Sequence, residues 1–202
     1  MTSNLTEHQI DQGMAWLQKK EPKFIKVFQV TGRPTLTLKP SGFCGLLQSI
    51  VSQQLSTKAA KTIWMRLCDA GYASAPVIQQ ASDESLRSVG LSHQKIRYAR
   101  ALAEANINYE ALEHASTQEV IDTLTPIVGI GLWTAQMYSL FALRHPDVFA
   151  PNDLGLQEGL RKMLNQAERP TAKEAQAISS PWSPWRSVAS LALWSFNDRS
   201  IA

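Results

Sequence analysis

Apolar residues recur along most of the chain at intervals of three and four, the spacing of one face of an α-helix. One such series comprises Phe43, Leu46, Leu47, Ile50 and Val51. Further series begin at Ser56 or Thr57, Ser92, Thr117, Leu132, Leu154, Thr171 and Pro184. The pattern therefore predicts a chain built mainly from short amphipathic helices.

Signals for β-strands are weak by comparison. Only Phe24–Val30 and Thr35–Leu38 alternate between apolar and polar residues, and both could be extended loop. We therefore predict a nearly all-α protein of roughly eight to ten short helices. Residues 1–40 are expected to form an N-terminal helix and an extended segment packed on the core, and residues 41–202 the main helical domain.

Composition and charge narrow the class of protein. The 202 residues are 44% hydrophobic, which is ample for a packed core. Two cysteines, Cys44 and Cys68, are too few for a disulfide framework or a thiolate metal site, and this favours a reducing compartment. No apolar run approaches the roughly 20 residues that span a bilayer. We expect a cytoplasmic protein with no membrane contact, and the net charge of +3 is compatible with a polyanionic partner.

The most informative stretch is LTPIVGIGLWTA, residues 124–135. One helix is predicted to end at Pro126 and the next to begin at Leu132, with Gly129 and Gly131 in the tight turn between them. Glycine permits positive φ angles and has no Cβ atom to block a close neighbour. The N–H groups of such a turn and of the following helix point at one place, which suits a phosphate oxygen. Taken alone, the two glycines fit an ordinary turn between helices at least as well.

In its full context this stretch resembles the hairpin of the helix–hairpin–helix DNA glycosylase superfamily. Three other segments resemble the 3-methyladenine glycosylase II branch in order and spacing: FCGLLQSIVSQQLSTKAA, VGLSHQKIRYARALA and WSPWRSVASLALW. The resemblance implies a fold of two helical lobes with the active site between them, and makes residues 41–202 the glycosylase domain. The implied function is base excision repair, by hydrolysis of the N-glycosidic bond of alkylated purines such as 3-methyladenine and 7-methylguanine.

The family places its catalytic aspartate at the end of a loop downstream of the hairpin, where this chain has Asp153. Glycosidic cleavage passes through an oxocarbenium-like sugar, so the site needs a negative charge near C1′ and an activated water. Asp153 also precedes a predicted helix start and could simply be an N-cap, a role compatible with catalysis. Many relatives carry a second acid where this chain has Asn152, and Asp147 is a weaker rival for the catalytic role.

The resemblance also implies which residues contact DNA and the target base. The base must leave the duplex, and the residue that fills the gap is expected among Gln53, Gln54 and Leu55. The hairpin residues expected to bind DNA are Val128, Gly129, Gly131 and Thr134.

The expected base pocket comprises Trp194, Trp133, Phe43, Met137 and Tyr138. A cationic methylated purine would be attracted to an indole face, although each tryptophan could instead be core, as we expect for Trp182 and Trp185. Lys95 and Arg186 could contact phosphate or bridge helices.

Two features of the sequence bear on the reaction type. Superfamily members that also cut the strand use a lysine just before the Thr-Ala of the hairpin, and this chain has Trp133 there. Without that amine no Schiff base can form, so the reaction should stop at an abasic site. The lack of four clustered cysteines argues against an iron–sulfur cluster. We expect no cofactor and no catalytic metal, and at most a structural monovalent cation at the hairpin.

The expected partner is double-stranded DNA with alkylated bases, bound by a monomer. Three other functions stay open from the sequence. The first is a non-catalytic helix–hairpin–helix module, which would need the glycines but not Asp153. The second is a helical protein-interaction domain without affinity for DNA. The third is a glycosylase for oxidised, mismatched or other damaged bases.

Overall fold

The computed structural model describes residues 4–199, and this range contains thirteen α-helices, a short 3₁₀ helix at Ser180–Trp182 and no β-strand. The helices are α1 (Glu7–Lys20), α2 (Lys23–Thr31), α3 (Gly42–Ser52), α4 (Thr57–Asp69), α5 (Ala75–Gln80), α6 (Asp83–Ser88), α7 (His93–Glu104), α8 (Tyr109–His114), α9 (Thr117–Leu124), α10 (Leu132–Phe141), α11 (Leu154–Leu164), α12 (Ala172–Ser179) and α13 (Arg186–Asp198). The all-α prediction is confirmed. The predicted number of helices is too low, because α5, α6 and α8 have six residues each and are too short to display a period.

Polar residues at the N-cap position begin most of these helices. A side-chain oxygen accepts a hydrogen bond from a first-turn N–H at Thr6, Ser56, Ser82, Ser92, Asn108, Ser116, Asp153 and Thr171. Each such cap contributes about 0.5–2 kcal/mol of helix stability. Thr171, where the sequence places a helix start, forms a capping box with Glu174, and Ser56 rather than Thr57 caps α4.

The segment Phe24–Val30, which the sequence analysis considered as a strand or an extended loop, is helical. Phe24, Val27, Phe28 and Thr31 are buried, and their spacing of three and four is that of a helix face. Ile25 is apolar but exposed, so the order of apolar and polar residues in this segment does not match the order of buried and exposed side chains. Residues 35–38, the other candidate strand, have no regular secondary structure.

The described residues fall into two compact units. The first comprises residues 4–38 and 139–199, and the second comprises residues 39–138. Helices α1 and α2 pack on α13, so the N-terminal segment forms one unit with the C-terminal helices. The first boundary, at residues 38/39, lies in the segment between α2 and α3, and the second, at residues 138/139, lies within α10.

The first unit is built around α13. Trp182 lies against Phe24 and Phe149 in edge-to-face contacts, with ring centroids 5.0 and 6.1 Å apart, which confirms its predicted structural role. Helix α11 packs along α13, and this contact brings the start of α11 next to Trp194.

The second unit is built around α3 and α7. The predicted inward faces of both helices are buried, with Leu46, Leu47, Ile50 and Val51 on α3 and Ile96, Ala99 and Leu102 on α7. Helix α3 also packs on α4.

Candidate active site and hairpin

Asp153 is the N-cap of α11, as the sequence predicted, and it has a second contact that the sequence did not predict. Its Oδ1 accepts a hydrogen bond from the backbone N–H of Leu156 at 2.9 Å. The same oxygen accepts one from the indole Nε1–H of Trp194, also at 2.9 Å. The side chain is partly exposed. A carboxylate is thus held at a helix N-terminus, where the helix dipole favours negative charge.

Trp194 is fixed on two further sides. Phe141 stacks on it with ring centroids 5.8 Å apart and an interplanar angle of 27°. A Cβ atom on Gly155 would lie 3.1 Å from both Trp194 Cδ1 and Asp153 Oδ1, so glycine lets the indole approach the carboxylate closely. Phe141 and Gly155 are site residues that sequence reasoning missed. A glycine two residues after the aspartate, inside the first turn of a helix, was the available signal for the second.

Asp147, the rival carboxylate, has a structural role. Its two oxygens accept hydrogen bonds from Nε and Nη2 of Arg186 at 2.7 and 2.8 Å, and Oδ2 accepts one from Ser183 Oγ. Oδ1 also accepts from the backbone N–H of Arg186, the first residue of α13. Burial alone would raise the pKa of Asp147, but the hydrogen bonds from Arg186 and Ser183 outweigh it and lower the pKa. Asp147 and Arg186 therefore tie a loop to the start of α13.

The two glycines of the turn between α9 and α10 differ in backbone conformation and in surroundings. Gly129 has φ +98°, and a Cβ atom there would lie only 2.3 Å from Cγ of Tyr98. Gly131 does not have a positive φ, and a Cβ atom there would meet nothing within 4 Å. We expected both glycines to allow a positive φ and a close neighbouring group. This is right for Gly129 and wrong for Gly131, which has neither a positive φ nor a protein atom close to it.

Apolar side chains flank this turn on the protein surface. Val128 is 52% exposed and Trp133 is 49% exposed, and Leu132 is also exposed. Thr134, which the sequence placed among the DNA contacts, is only 7% exposed. Its side chain therefore faces the interior more than the solvent.

The loop between α3 and α4 is joined to the same turn. Gln53 Nε2 donates a hydrogen bond to the carbonyl oxygen of Gly129 at 2.9 Å. Gln54 is exposed and has φ +57°, a left-handed conformation unusual for a residue other than glycine. Leu55 is 38% exposed. Of the three gap-filling candidates, Gln53 is thus engaged inside the protein, whereas Gln54 and Leu55 project outward.

The remaining predicted residues of the second unit lie inside it. Met137 and Tyr138 are buried and Phe43 is half-buried. The hydroxyl oxygen of Tyr138 accepts a hydrogen bond from the N–H of Gly42 at 2.8 Å, and burial raises the pKa of Tyr138.

Lys95 Nζ donates a hydrogen bond to the carbonyl oxygen of Val51 at the end of α3, and burial lowers the pKa of Lys95. Lys95 therefore bridges α7 and α3, whereas Arg186 joins a loop to α13.

Among residues 4–199, no group of three or more His, Cys, Asp or Glu side chains could hold a metal ion. Within the same range, no helix is both long and apolar enough to cross a membrane.

Comparison with known proteins places this arrangement in a family. A model of the HhH-GPD superfamily of base excision DNA repair proteins matches residues 47–184. DNA-3-methyladenine glycosylase 1 of Schizosaccharomyces pombe is 34% identical over 158 residues, which is 74% of this chain and 69% of that protein.

Solved structures agree with the sequence comparison. A DNA-3-methyladenine glycosidase from Bacillus halodurans matches with a TM-score of 0.83 at 32% identity, over 98% of this chain and 92% of that one. The 3-methyladenine DNA glycosylase of S. pombe, solved in complex with abasic DNA, matches with a TM-score of 0.78 at 28% identity, over 91% of this chain and 95% of that one. The chain therefore belongs to the HhH-GPD superfamily of base excision DNA repair proteins.

Proposed function

We propose that this protein is a monofunctional DNA glycosylase that hydrolyses the N-glycosidic bond of alkylated purines in double-stranded DNA and leaves an abasic site. The observation that carries the proposal is the placement of Asp153, whose carboxylate is held by the N-terminus of α11 and the indole N–H of Trp194. This is the aspartate that the family's motif order assigns to catalysis. A monomeric state and a cytoplasmic location belong to the same proposal and rest on the sequence alone.

The proposed reaction breaks the bond between C1′ and the base nitrogen, and its electron pair leaves with the base. The sugar gains positive charge as the bond lengthens, and the negative charge of Asp153 stabilises it. A water oxygen then bonds to C1′, and Asp153 accepts the proton that the water gives up. A methylated purine that carries a positive charge leaves as a neutral base, so this site needs no strong general acid.

DNA binding is assigned to the hairpin and to the neighbouring loop. The turn at Gly129–Gly131 and the N-terminus of α10 would bind a backbone phosphate, a contact that positions the duplex without reading its sequence. Gln54 or Leu55 would fill the gap that the extruded base leaves, because both are exposed and Gln53 is bonded to Gly129. Trp194 is the proposed stacking partner of the base. Trp133, which is exposed on the second unit, stays a candidate from the sequence alone.

A structural monovalent cation at the hairpin is also a proposal. Its ligands would be carbonyl oxygens of the turn, of which Ile127 and Gly129 each already accept one hydrogen bond, from Ile130 N and Gln53 Nε2. A carbonyl oxygen has a second lone pair, so these groups fit a weakly held cation. The proposed reaction takes no step through it.

A base-release assay tests the function directly. The protein would be incubated with duplexes carrying 7-methylguanine, 3-methyladenine, 1,N6-ethenoadenine, hypoxanthine, uracil or 8-oxoguanine, and free base would be measured. Release of the methylated purines supports the proposal. Release of only other bases would make the protein a glycosylase of different specificity, and binding without any release would make it a non-catalytic helix–hairpin–helix module.

Substitution of Gly131 by valine is expected to weaken binding to damaged and undamaged duplexes alike, by about tenfold for one charge-assisted contact. The reason is that the added side chain would fill the open space beside the turn where the phosphate is proposed to lie. Fluorescence anisotropy over a salt series measures it, with Gly131→Ala as the smaller step. Unchanged salt-dependent binding in both variants would leave the turn with a purely structural role.

Product DNA is expected to stay intact until alkali is added, because Trp133 stands where strand-cutting relatives have a lysine. Denaturing gel electrophoresis before and after alkali measures this. Borohydride added during turnover should trap no protein–DNA adduct. A trapped adduct would prove that an amine of this chain forms a Schiff base and would refute the monofunctional assignment.

Replacement of Trp194 by leucine is expected to reduce the preference for cationic over neutral lesions. A cation over an indole gains about 0.5–2 kcal/mol, which corresponds to several-fold to about thirtyfold discrimination. Leucine also removes the hydrogen bond to Asp153, so the informative quantity is the ratio of kcat/KM for 7-methylguanine to that for hypoxanthine. Trp194→Phe, which keeps an aromatic face, is the matched control. An unchanged ratio in Trp194→Leu would attribute lesion choice to leaving-group reactivity alone.

A further inference from the structure

Trp194 has a contact that base stacking does not require. Stacking uses the face of the indole ring, whereas the edge of Trp194 donates its N–H to Asp153 Oδ1 at 2.9 Å. The oxygen that accepts it also accepts the N–H of Leu156. Two donors from different helices, α11 and α13, therefore converge on one carboxylate oxygen and define its position.

Gly155 makes this convergence possible. It is the second residue of α11, and a Cβ atom there would approach Asp153 Oδ1 and Trp194 Cδ1 to 3.1 Å each. This distance is shorter than most contacts of real Cβ atoms, so an alanine would displace the carboxylate, the indole or both by a few tenths of an ångström. Phe141, stacked on Trp194, limits the movement of the ring.

We propose that Trp194 and Gly155 are positioning residues for the proposed reaction, which set the orientation of the Asp153 carboxylate toward the developing charge on the sugar. The inference rests on the proposed function and adds to it a role for Trp194 that is separate from base stacking. Electrostatic stabilisation of a transition state depends on groups that are already oriented before the reaction. A carboxylate held only by its helix cap could rotate, and the reorientation would then oppose catalysis.

Two substitutions separate positioning from folding. Trp194→Phe keeps an aromatic ring but removes the N–H donor. Gly155→Ala adds one methyl group beside the carboxylate, while alanine is the better helix former, so the melting temperature should not fall. Each is expected to lower the single-turnover rate of 7-methylguanine release about tenfold. Trp16→Phe is the matched control, since Trp16 is also half-buried and lies on α1 beside Lys20, and its rate should stay within about twofold of wild type.

The mechanism is tested by binding rather than by turnover. One duplex carries a tetrahydrofuran in place of a nucleoside, and the other carries a pyrrolidine whose protonated nitrogen occupies the position of C1′ and mimics the cationic transition state. Wild type should prefer the pyrrolidine duplex. Trp194→Phe and Gly155→Ala should reduce that preference several-fold while affinity for the tetrahydrofuran duplex is unchanged. In an Asp153→Asn background neither substitution should change the preference further, because residues that act through one group are not additive.

The outcomes separate a failure of the proposed function from a failure of positioning by Trp194 and Gly155. If Asp153→Asn leaves the preference for the cation intact, the proposed function loses its catalytic carboxylate. If Asp153→Asn removes the preference but Trp194→Phe and Gly155→Ala do not reduce it, positioning by these residues is wrong. It is equally wrong if both lower the affinity for the two duplexes by the same factor, because that result would assign them to binding alone.

Discussion

Asp153→Asn is expected to lower the single-turnover rate of base release on the order of 10²-fold or more, with little change in affinity for the duplex. The substitution removes the negative charge and almost no volume. Asparagine is as good an N-cap as aspartate, and its side-chain oxygen can accept the same hydrogen bonds from Leu156 and Trp194. The fold should therefore persist while the main stabiliser of the developing cation is lost. Quenched-flow measurement of base release and anisotropy titration of the same duplex check the two halves of the prediction.

Asp147→Asn is the matched control, since it makes the same chemical change in the neighbouring loop. It should leave the rate of base release near that of wild type but lower the melting temperature, because Arg186 loses its charged partner. The pKa of Asp147 is lowered in the folded protein, so its stabilising effect is present above the pKa of the unfolded chain and is lost as the pH falls through the folded pKa. The difference in melting temperature should therefore shrink in acid. Near-normal turnover by Asp153→Asn together with a large loss in Asp147→Asn would transfer the catalytic role to Asp147.

Features set by neighbouring residues could be predicted from the sequence. The helix starts at Ser92, Asp153 and Thr171 are predictable because the hydrogen bond of a cap joins residues two or three positions apart. The inward faces of α3 and α7 could be predicted for a similar reason, since helical periodicity is a local property. The order of the family's motifs then located the hairpin and the aspartate along the chain.

Features set by distant residues could not be predicted in this way. The hydrogen bond between Asp153 and Trp194 joins residues 41 positions apart, and that between Gln53 and Gly129 joins residues 76 apart. No local pattern predicts that Asp147 pairs with Arg186, which lies 39 positions further along the chain. The same limit applies to the glycines of the turn, because Gly129 differs from Gly131 in its positive φ and in its proximity to Tyr98, and neither difference is visible in the sequence.

That difference leads to a second large expected effect, on stability. Gly129→Ala should lower the free energy of unfolding by about 2–5 kcal/mol, because a left-handed conformation disfavours alanine and the new Cβ would overlap the ring of Tyr98. Shortening Tyr98 would relieve this only in part, since its own Cβ would lie 2.6 Å away. Urea denaturation measures the loss.

Gly131→Ala is the control for the same turn and should cost less than about 1 kcal/mol, since its position is open and its φ is not positive. Equal stabilities for the two variants would mean that Tyr98 does not pack on the turn as described. If the expected difference is found, reduced DNA binding by Gly129→Ala cannot be separated from damage to the hairpin itself. Gly131 is then the position at which phosphate binding can be tested without disturbing the fold.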